Sequence, residues 1–493
     1  VGTNDDFFRI GGDSILSIQV SGRIRQLGLK CQVKDIFTFK TIRELARHLG
    51  QGNTEVPIQS EQGLLEGALP LLPIQQWFVQ QIEKQLFEQP DHWNQSFLIK
   101  VPELDVSKFP GLIEKLVAHH DVFRVRYIKG KNWKQFYSKQ IALPEPNVLD
   151  IGRYGPKELQ SALTQWQNLF DLEHGPLFSM GYLYGYEDGS ARIFLAMHHM
   201  IVDGVSWRIL AEDIKTLYEG KALPAKGSSY RQWGQTIQNY PQDHSDEEAY
   251  WKEQISSTPS YGIWKGQEGK SSMVSLELDE TLTKALLQKA SGAYHTEIND
   301  LLLTALTYAL RDINGNDSQS ITLEGHGRED LDNGIDHSRT IGWFTSMFPI
   351  RLQLNKTIGE SIISVKETLR KVPNKGIGFG AFAIDIDSTL NHGELPPVIF
   401  NYLGQFDSKQ GEWQIVSDAS GRSRSPLNTD DNLINVNGSI TKGRLGFSVK
   451  TKLGNQKTQE LGDAIDGHLK EIIAHCVEKL EEHGPTYTPS DFY

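Results

Sequence analysis

The sequence predicts a small all-α unit followed by a larger α/β region built in two halves. Three observations predict it. The chain has 493 residues, and at about 100 to 200 residues per domain that length implies roughly three folding units. The stretch GQGNTEVPIQSEQGLLEGA, residues 50 to 68, is rich in Gly, Gln, Glu and Ser, has no sustained hydrophobic period and reads as a linker. Ahead of it apolar residues recur at helical spacing; behind it, strand-length apolar runs alternate with helical patterns.

Val1 opens directly into a loop, the expectation for a helical domain that lacks its first helix. Ile15, Ile18, Val20, Ile24 and Leu27 lie mostly three or four apart over residues 14 to 27, and Ile42, Leu45, Ala46 and Leu49 do the same before Gly50. These are two amphipathic helices, the second closed by glycine. In the larger region ARIFLAMHH has the length and apolarity of a strand, and GVSWRILAEDIKTLYEG spaces Trp207, Leu210, Ala211, Ile214, Leu217 and Tyr218 as a helix does. A polar, Gly-containing break at about residues 256 to 272 divides this region into similar halves, each of domain size. The expected limits are therefore 1–50 for the helical unit, 51–68 for the linker, 69–485 for the α/β region (halves at about 69–255 and 273–485) and 486–493 for a tail.

The net charge of −12 argues against nucleic acid as the main partner, because phosphate binding needs a basic footprint. Residues 1–50 nevertheless carry eight Lys or Arg against five Asp or Glu, a contrast that a mobile domain docking on an acidic neighbour could use. Cys31 and Cys476 lie too far apart in sequence for a repeated metal-ligand spacing or a disulfide framework, as in a reduced cytoplasmic protein. No run of about 18 apolar residues and no signal-peptide order appears, so neither a membrane span nor export is expected.

Chemistry-bearing residues concentrate in four places. In FFRIGGDSILSIQV, Ser14 follows two glycines and Asp13 and precedes an apolar run, as a helix N-cap or a nucleophile would. HHMIVDGVSW, at a strand-to-helix junction, holds His198, His199 and Asp203. Strand alternation turns His199 to the face of Met197 and Leu195 and His198 to the other, so one imidazole is free to relay protons while Asp203 orients the site or holds an arginine. The bland alternative is a pair of satisfied histidines with Asp203 capping the helix. LEGHGRED places Glu324 and Arg328 around two glycines that let backbone approach a ligand; a carboxylate in an apolar channel has its pKa raised and suits a general base, while the bland alternative is an ion-paired turn. PPVIFNYLGQF sets Asn401 and Tyr402 inside an apolar strand, where their polar groups need partners in the core or on a substrate. No HExxH, paired CxxC or P-loop pattern implies a metal or nucleotide, and GIGFG at 376–380 does not follow a strand as a dinucleotide loop must.

Taken in order, these motifs resemble a known family. Residues 4 to 50, through GGDSI, resemble a thiolation (peptidyl carrier) domain of nonribosomal peptide synthetases. Residues 69 to about 485, through LPIQQWF, HHMIVDGVSWRIL, EGHGRE, RTIGWFTSMFP, PNKGIGFG and IFNYLGQF, resemble the epimerization domain of the same assembly lines. The resemblance implies a chloramphenicol acetyltransferase-like fold, two α/β lobes forming a V with a tunnel between them. It implies 4'-phosphopantetheine on Ser14 carrying an aminoacyl or peptidyl thioester. It also implies His199 and Glu324 facing each other across the tunnel, Asn401 and Tyr402 lining it with Tyr402 a possible donor, and an Asp203–Arg328 ion pair in support. Partners implied are a phosphopantetheinyl transferase, an upstream adenylation domain and a downstream condensation domain, with the chain a piece of a larger synthetase.

Epimerization requires removing the Cα proton next to a thioester carbonyl and returning one to the opposite face, through an enolate-like intermediate that wants hydrogen-bond donors. His199 and Glu324 are the natural pair; the alternative is a protonated His199 stabilising the enolate while Glu324 and water move both protons. A condensation domain, using the same histidine for amide formation between two carrier-bound substrates, is the competing reading, and a catalytically dead platform a third. The aspartate in GGDSI, EGHGRE and FNYLGQ favour epimerization.

Overall fold

The computed structural model describes residues 1 to 492 apart from 9, 13, 51–57, 141–142, 257–270, 332–333, 386–387 and 406–410. Among the described residues the N-terminal unit contains three helices, α1 (Ser14–Gln26), α2 (Val33–Thr38) and α3 (Ile42–Leu49). Thr41 caps α3, its hydroxyl accepting from the Glu44 amide, and the expected closure at Gly50 is present. The sequence reading missed α2, which is six residues long and shows less than two turns of hydrophobic period.

Among the described residues, fourteen strands form three sheets in the larger region. They are β1 (Gly67–Leu69), β2 (Asn94–Val101), β3 (Val125–Ile128), β4 (Lys134–Tyr137), β5 (Asn147–Asp150), β6 (Phe178–Tyr184) and β7 (Ala191–His198), then β8 (Ser272–Glu277), β9 (Ser318–Gly325), β10 (Ser346–Gln353), β11 (Val398–Gln405), β12 (Gln414–Val416), β13 (Ile434–Thr441) and β14 (Arg444–Thr451). The first lobe holds the five-stranded order β12-β2-β7-β6-β5, the second the six-stranded order β10-β9-β11-β13-β14-β8, and a small antiparallel sheet runs β1-β4-β3.

Burial explains which run took which place. All eight residues of β7 are buried, so a strand whose residues 193 to 197 are all apolar occupies a central position covered on both faces. β14 instead alternates, burying Leu445, Phe447, Val449 and Thr451 while the intervening residues are partly or fully exposed. Its covered face meets the long helix Asn455–His483, which buries Leu461, Ile465, Leu469, Ile472 and Cys476 along one stripe.

The two lobes are joined by more than chain continuity. β12 belongs by sequence to the second lobe but pairs antiparallel with β2, at the edge of the first lobe's sheet. The following segment continues the contact, with Ser420 on Ser96 and Gln167, and Asn428 on Gln89 and His92. The sequence break at about 256 to 272 lies largely outside the described residues. So do residues 51–57 of the expected linker; residues 58–68 are fixed to the lobes, with the Gln59 amide donating to the Gly334 carbonyl, Glu61 paired with Arg231, and Leu65 buried. The tail is held as well, through Lys366 Nζ to Asp491 at 2.6 Å. Among the described residues no helix is long and apolar enough to cross a membrane.

Candidate active site

A cavity of about 560 Å³ lies between the lobes. The first lobe contributes Gln95, His199 and Trp207; the second contributes Glu324, Met347, Asn401 and Asn437.

His199 sits just past the end of β7, on a short turn. His198 builds that turn: fully buried, it accepts from the Met200 amide through Nδ1 and donates through Nε2 to the Pro90 carbonyl at 2.8 Å. Burial pushes its pKa down to about 3, so it is a neutral structural residue. The His199 amide donates to the Trp93 carbonyl, its Nδ1 lies 2.9 Å from the Val202 carbonyl, and the Trp343 ring covers its face at 4.2 Å between centroids. Burial lowers its pKa to about 4, against the smaller opposing effects of backbone hydrogen bonds and Asp203. A resting imidazolium, one of the two expected roles for this ring, is therefore disfavoured.

Glu324 lies opposite Met347 in the β9–β10 register and accepts at 2.6 Å from the Asn401 amide on β11. Burial raises its pKa to about 7, the direction expected for a general acid or base working near neutrality.

Asp203 fills both roles considered for it. Its Oδ1 caps helix Gly204–Tyr218 by accepting from the Ser206 amide, and both its oxygens lie 3.0 Å from Arg328. Arg328 is fully buried, donates to the His337 and Thr340 carbonyls and stacks on Phe344 at 3.8 Å. This pair ties the His199 turn of one lobe to the Glu324 loop of the other. The glycines of that loop act differently from the expectation of close approach to a ligand. A Cβ on Gly327, at φ +65°, would fall 1.7 Å from the Phe344 carbonyl oxygen, so the close neighbour is protein backbone.

Tyr402, expected to line the cavity, is not among the residues found lining it. Ile399, Asn401 and Leu403 line the cavity, and strand alternation turns Tyr402 to the opposite face with Val398 and Phe400. It stands opposite Gly438, beside which the Phe447 ring packs, and is partly buried against the core. Among the amides that line the cavity are Asn401 and its register neighbour Asn437. Asn437 and Gln95 were missed as site residues because single amides at ordinary strand positions carry no motif, and Trp207, though inside HHMIVDGVSW, was read only as part of the apolar face of a helix.

Ser14 is the partly exposed first residue of α1. The turn before it approaches the end of β11, where Gln405 Nε2 donates to the Gly11 carbonyl at 3.2 Å. From Gln405 to Asn401 the strand covers about 13 Å. Asp13 lies outside the described residues. The helical unit is held by charge: Arg25 reaches Asp336 at 2.7 Å and Asp330 at 3.3 Å, Arg23 pairs with Glu212, and the Val33 amide donates to Asp330. Gly22 permits the close packing, since a Cβ there would lie 2.9 Å from Ser338 Oγ.

Residues 65–488 match the condensation domain family and residues 1–49 the phosphopantetheine attachment site family. The chain is 36% identical over 488 residues to N-(5-amino-5-carboxypentanoyl)-L-cysteinyl-D-valine synthase of Amycolatopsis lactamdurans, covering 96% of this chain and 13% of that protein. It is 35% identical over 537 residues to tyrocidine synthase 2 of Brevibacillus parabrevis, covering 100% and 14%. The chain thus spans only 13% to 14% of the length of these relatives. Among solved structures, the epimerization domain from the third module of tyrocidine synthetase B superposes with a TM-score of 0.74 at 32% identity, over 85% of this chain and 99% of that one. The first condensation domain of the calcium-dependent antibiotic synthetase shares the fold, with a TM-score of 0.60 at 15% identity over 85% and 99%.

Proposed function

Because this chain belongs to the condensation domain family and carries a phosphopantetheine attachment domain ahead of it, we propose that it epimerizes the Cα centre of an aminoacyl or peptidyl thioester borne on its own carrier domain. The observation that carries this reading is the meeting of His199 and Glu324, from different lobes, in one cavity beside the carrier's docking site. Two proton-transfer groups on opposite sides of a planar intermediate would let either configuration at Cα form, whereas amide formation uses only one.

Ser14 fits the attachment point: its hydroxyl starts a helix, is partly exposed and follows a turn held against the strand that leads into the cavity. The bound group supplies a flexible tether and a thioester to the substrate. Between about pH 4 and about pH 7, His199 is uncharged and Glu324 protonated. In that state His199 Nε2 accepts the Cα proton, and Glu324 gives its proton to the opposite face of the planar intermediate. The two groups then hold the complementary protonation states, ready for the reverse reaction. The amides of Asn401 and Asn437 offer donors to the enolate oxygen. Both cysteines are free and buried, as a cytoplasmic protein would keep them.

The test loads the phosphopantetheinylated chain with an L-aminoacyl thioester in deuterated water. Deuterium at Cα and an L/D mixture are expected, and both should vanish in Glu324→Gln and His199→Ala. Exchange retained in both variants removes these residues from the reaction. Amide formation with an acceptor-loaded second carrier, without Cα exchange, would establish the condensation reading instead.

A further inference from the structure

Gln95 lies opposite Met197 in the β2–β7 register, and its side chain faces the cavity. Its amide is pinned from two sides. The Trp207 indole N–H donates to Gln95 Oε1 at 2.6 Å, and an indole nitrogen only donates. The amide oxygen is therefore fixed toward Trp207, which turns the NH2 group toward His199 Nε2, 2.9 Å away. Across the ring, Nδ1 lies 2.9 Å from the Val202 carbonyl, which only accepts. Nδ1 must then carry the ring proton and Nε2 the lone pair. The result is one directional chain: Trp207 N–H to Gln95, Gln95 N–H to His199 Nε2, His199 Nδ1–H to Val202.

We propose that Gln95 is the positioning residue that holds His199 as an uncharged acceptor, with its lone pair on the cavity side. An imidazolium would set one N–H against another at this contact, so the Gln95 amide must turn or withdraw when Nε2 takes a proton. What the lone pair is used for rests on the epimerization reading; the protonation state is a property of the chain before any substrate arrives.

The charged and titratable groups around the ring do not reverse this. Asp203, at the start of helix Gly204–Tyr218, is committed to Arg328 and to its capping bond. Arg208 on the same helix is cationic, and His198 behind the ring is neutral and saturated. Glu324, on β9, is held by Asn401, and Arg424 and Asp430 pair with each other along the cavity. Among the described residues no carboxylate is hydrogen-bonded to Nε2. Burial of the ring acts in the same direction as Gln95.

The 493-residue chain, labelled with 15N-histidine and free of substrate, tests this by NMR. In the wild type the His199 ring should show the Nδ1–H tautomer and remain neutral at pH 5. In Gln95→Glu, which replaces the facing donor by a carboxylate, the titration midpoint should rise by about one pH unit or more. Trp207→Phe, which frees the amide to turn, should yield a mixture of ring tautomers. An Nε2–H tautomer in the wild type, or a ring with the wild-type tautomer and midpoint in both variants, overturns the proposal. In the exchange assay, the acidic limb of the Gln95→Glu rate profile should move to higher pH along with the midpoint; a limb that stays put while the midpoint moves also overturns it. If the wild type exchanges no Cα proton, the epimerization reading fails and the substrate-free titration still decides the role of Gln95.

Discussion

Glu324 is a carboxyl group that folding makes harder to ionise, and His199 an imidazole that folding makes harder to protonate. Their effects on stability therefore run in opposite directions with pH. The folded pKa of Glu324, about 7, lies above its ordinary 4.5, so the native state binds this proton more tightly than the unfolded chain does. Its contribution to stability is whole below about pH 4.5 and is lost as pH rises through about 7. For His199 the contribution is whole above 6.5 and is lost as pH falls through about 4. In denaturant titrations Glu324→Gln should gain on the wild type as pH rises from about 4.5 to about 7, while its exchange rate falls at least about 100-fold. A stability gap that stays constant with pH would mean that the native carboxyl ionises normally. Both residues were legible in the sequence because each sits in a compact motif with an unusual residue order. Gln95 was not, since its importance comes from a donor on a helix more than a hundred positions away.

At the scale of the element, β11 decides which residues can touch substrate. Its two-residue period separates Asn401 from Tyr402 although they are neighbours in the chain. Tyr402→Phe should keep exchange within a few-fold of wild type, whereas Asn437→Ala, which removes a donor from the cavity side, should slow it by about tenfold or more. Equal losses in the two variants would show that the sheet's two faces are not distinguished by the reaction. Of the strands that carry the site, β7 and β11 were legible as apolar runs. Their facing was less so in β11, where the motif drew attention to two polar residues and only alternation, applied to the observed cavity, separates them. The three residues of β12 are too few for a periodic signal, and their pairing is made with the other lobe.

At the scale of the molecule, the mildly basic carrier meets acidic residues at the seam between the lobes. Arg25, bridging Asp330 and Asp336, is the central contact, and the loop that supplies both aspartates also supplies Arg328. Arg25→Glu sets three like charges together. Exchange of a substrate on the chain's own carrier should fall more than tenfold, while exchange of a small free thioester should be unchanged. Losing both equally would mean that the variant damages the cavity itself. The charge contrast was visible in composition, but its target was not, because the acidic partners are scattered over residues 212 to 336 and are gathered only by folding. The strand that the second lobe lends to the first has a practical side for those who recombine assembly lines. A graft that exchanges one lobe and keeps the other would have to rebuild a sheet edge from foreign backbone, together with the Asp203–Arg328 pair. The transplantable unit is both lobes together, with the junction placed between the carrier and residue 58.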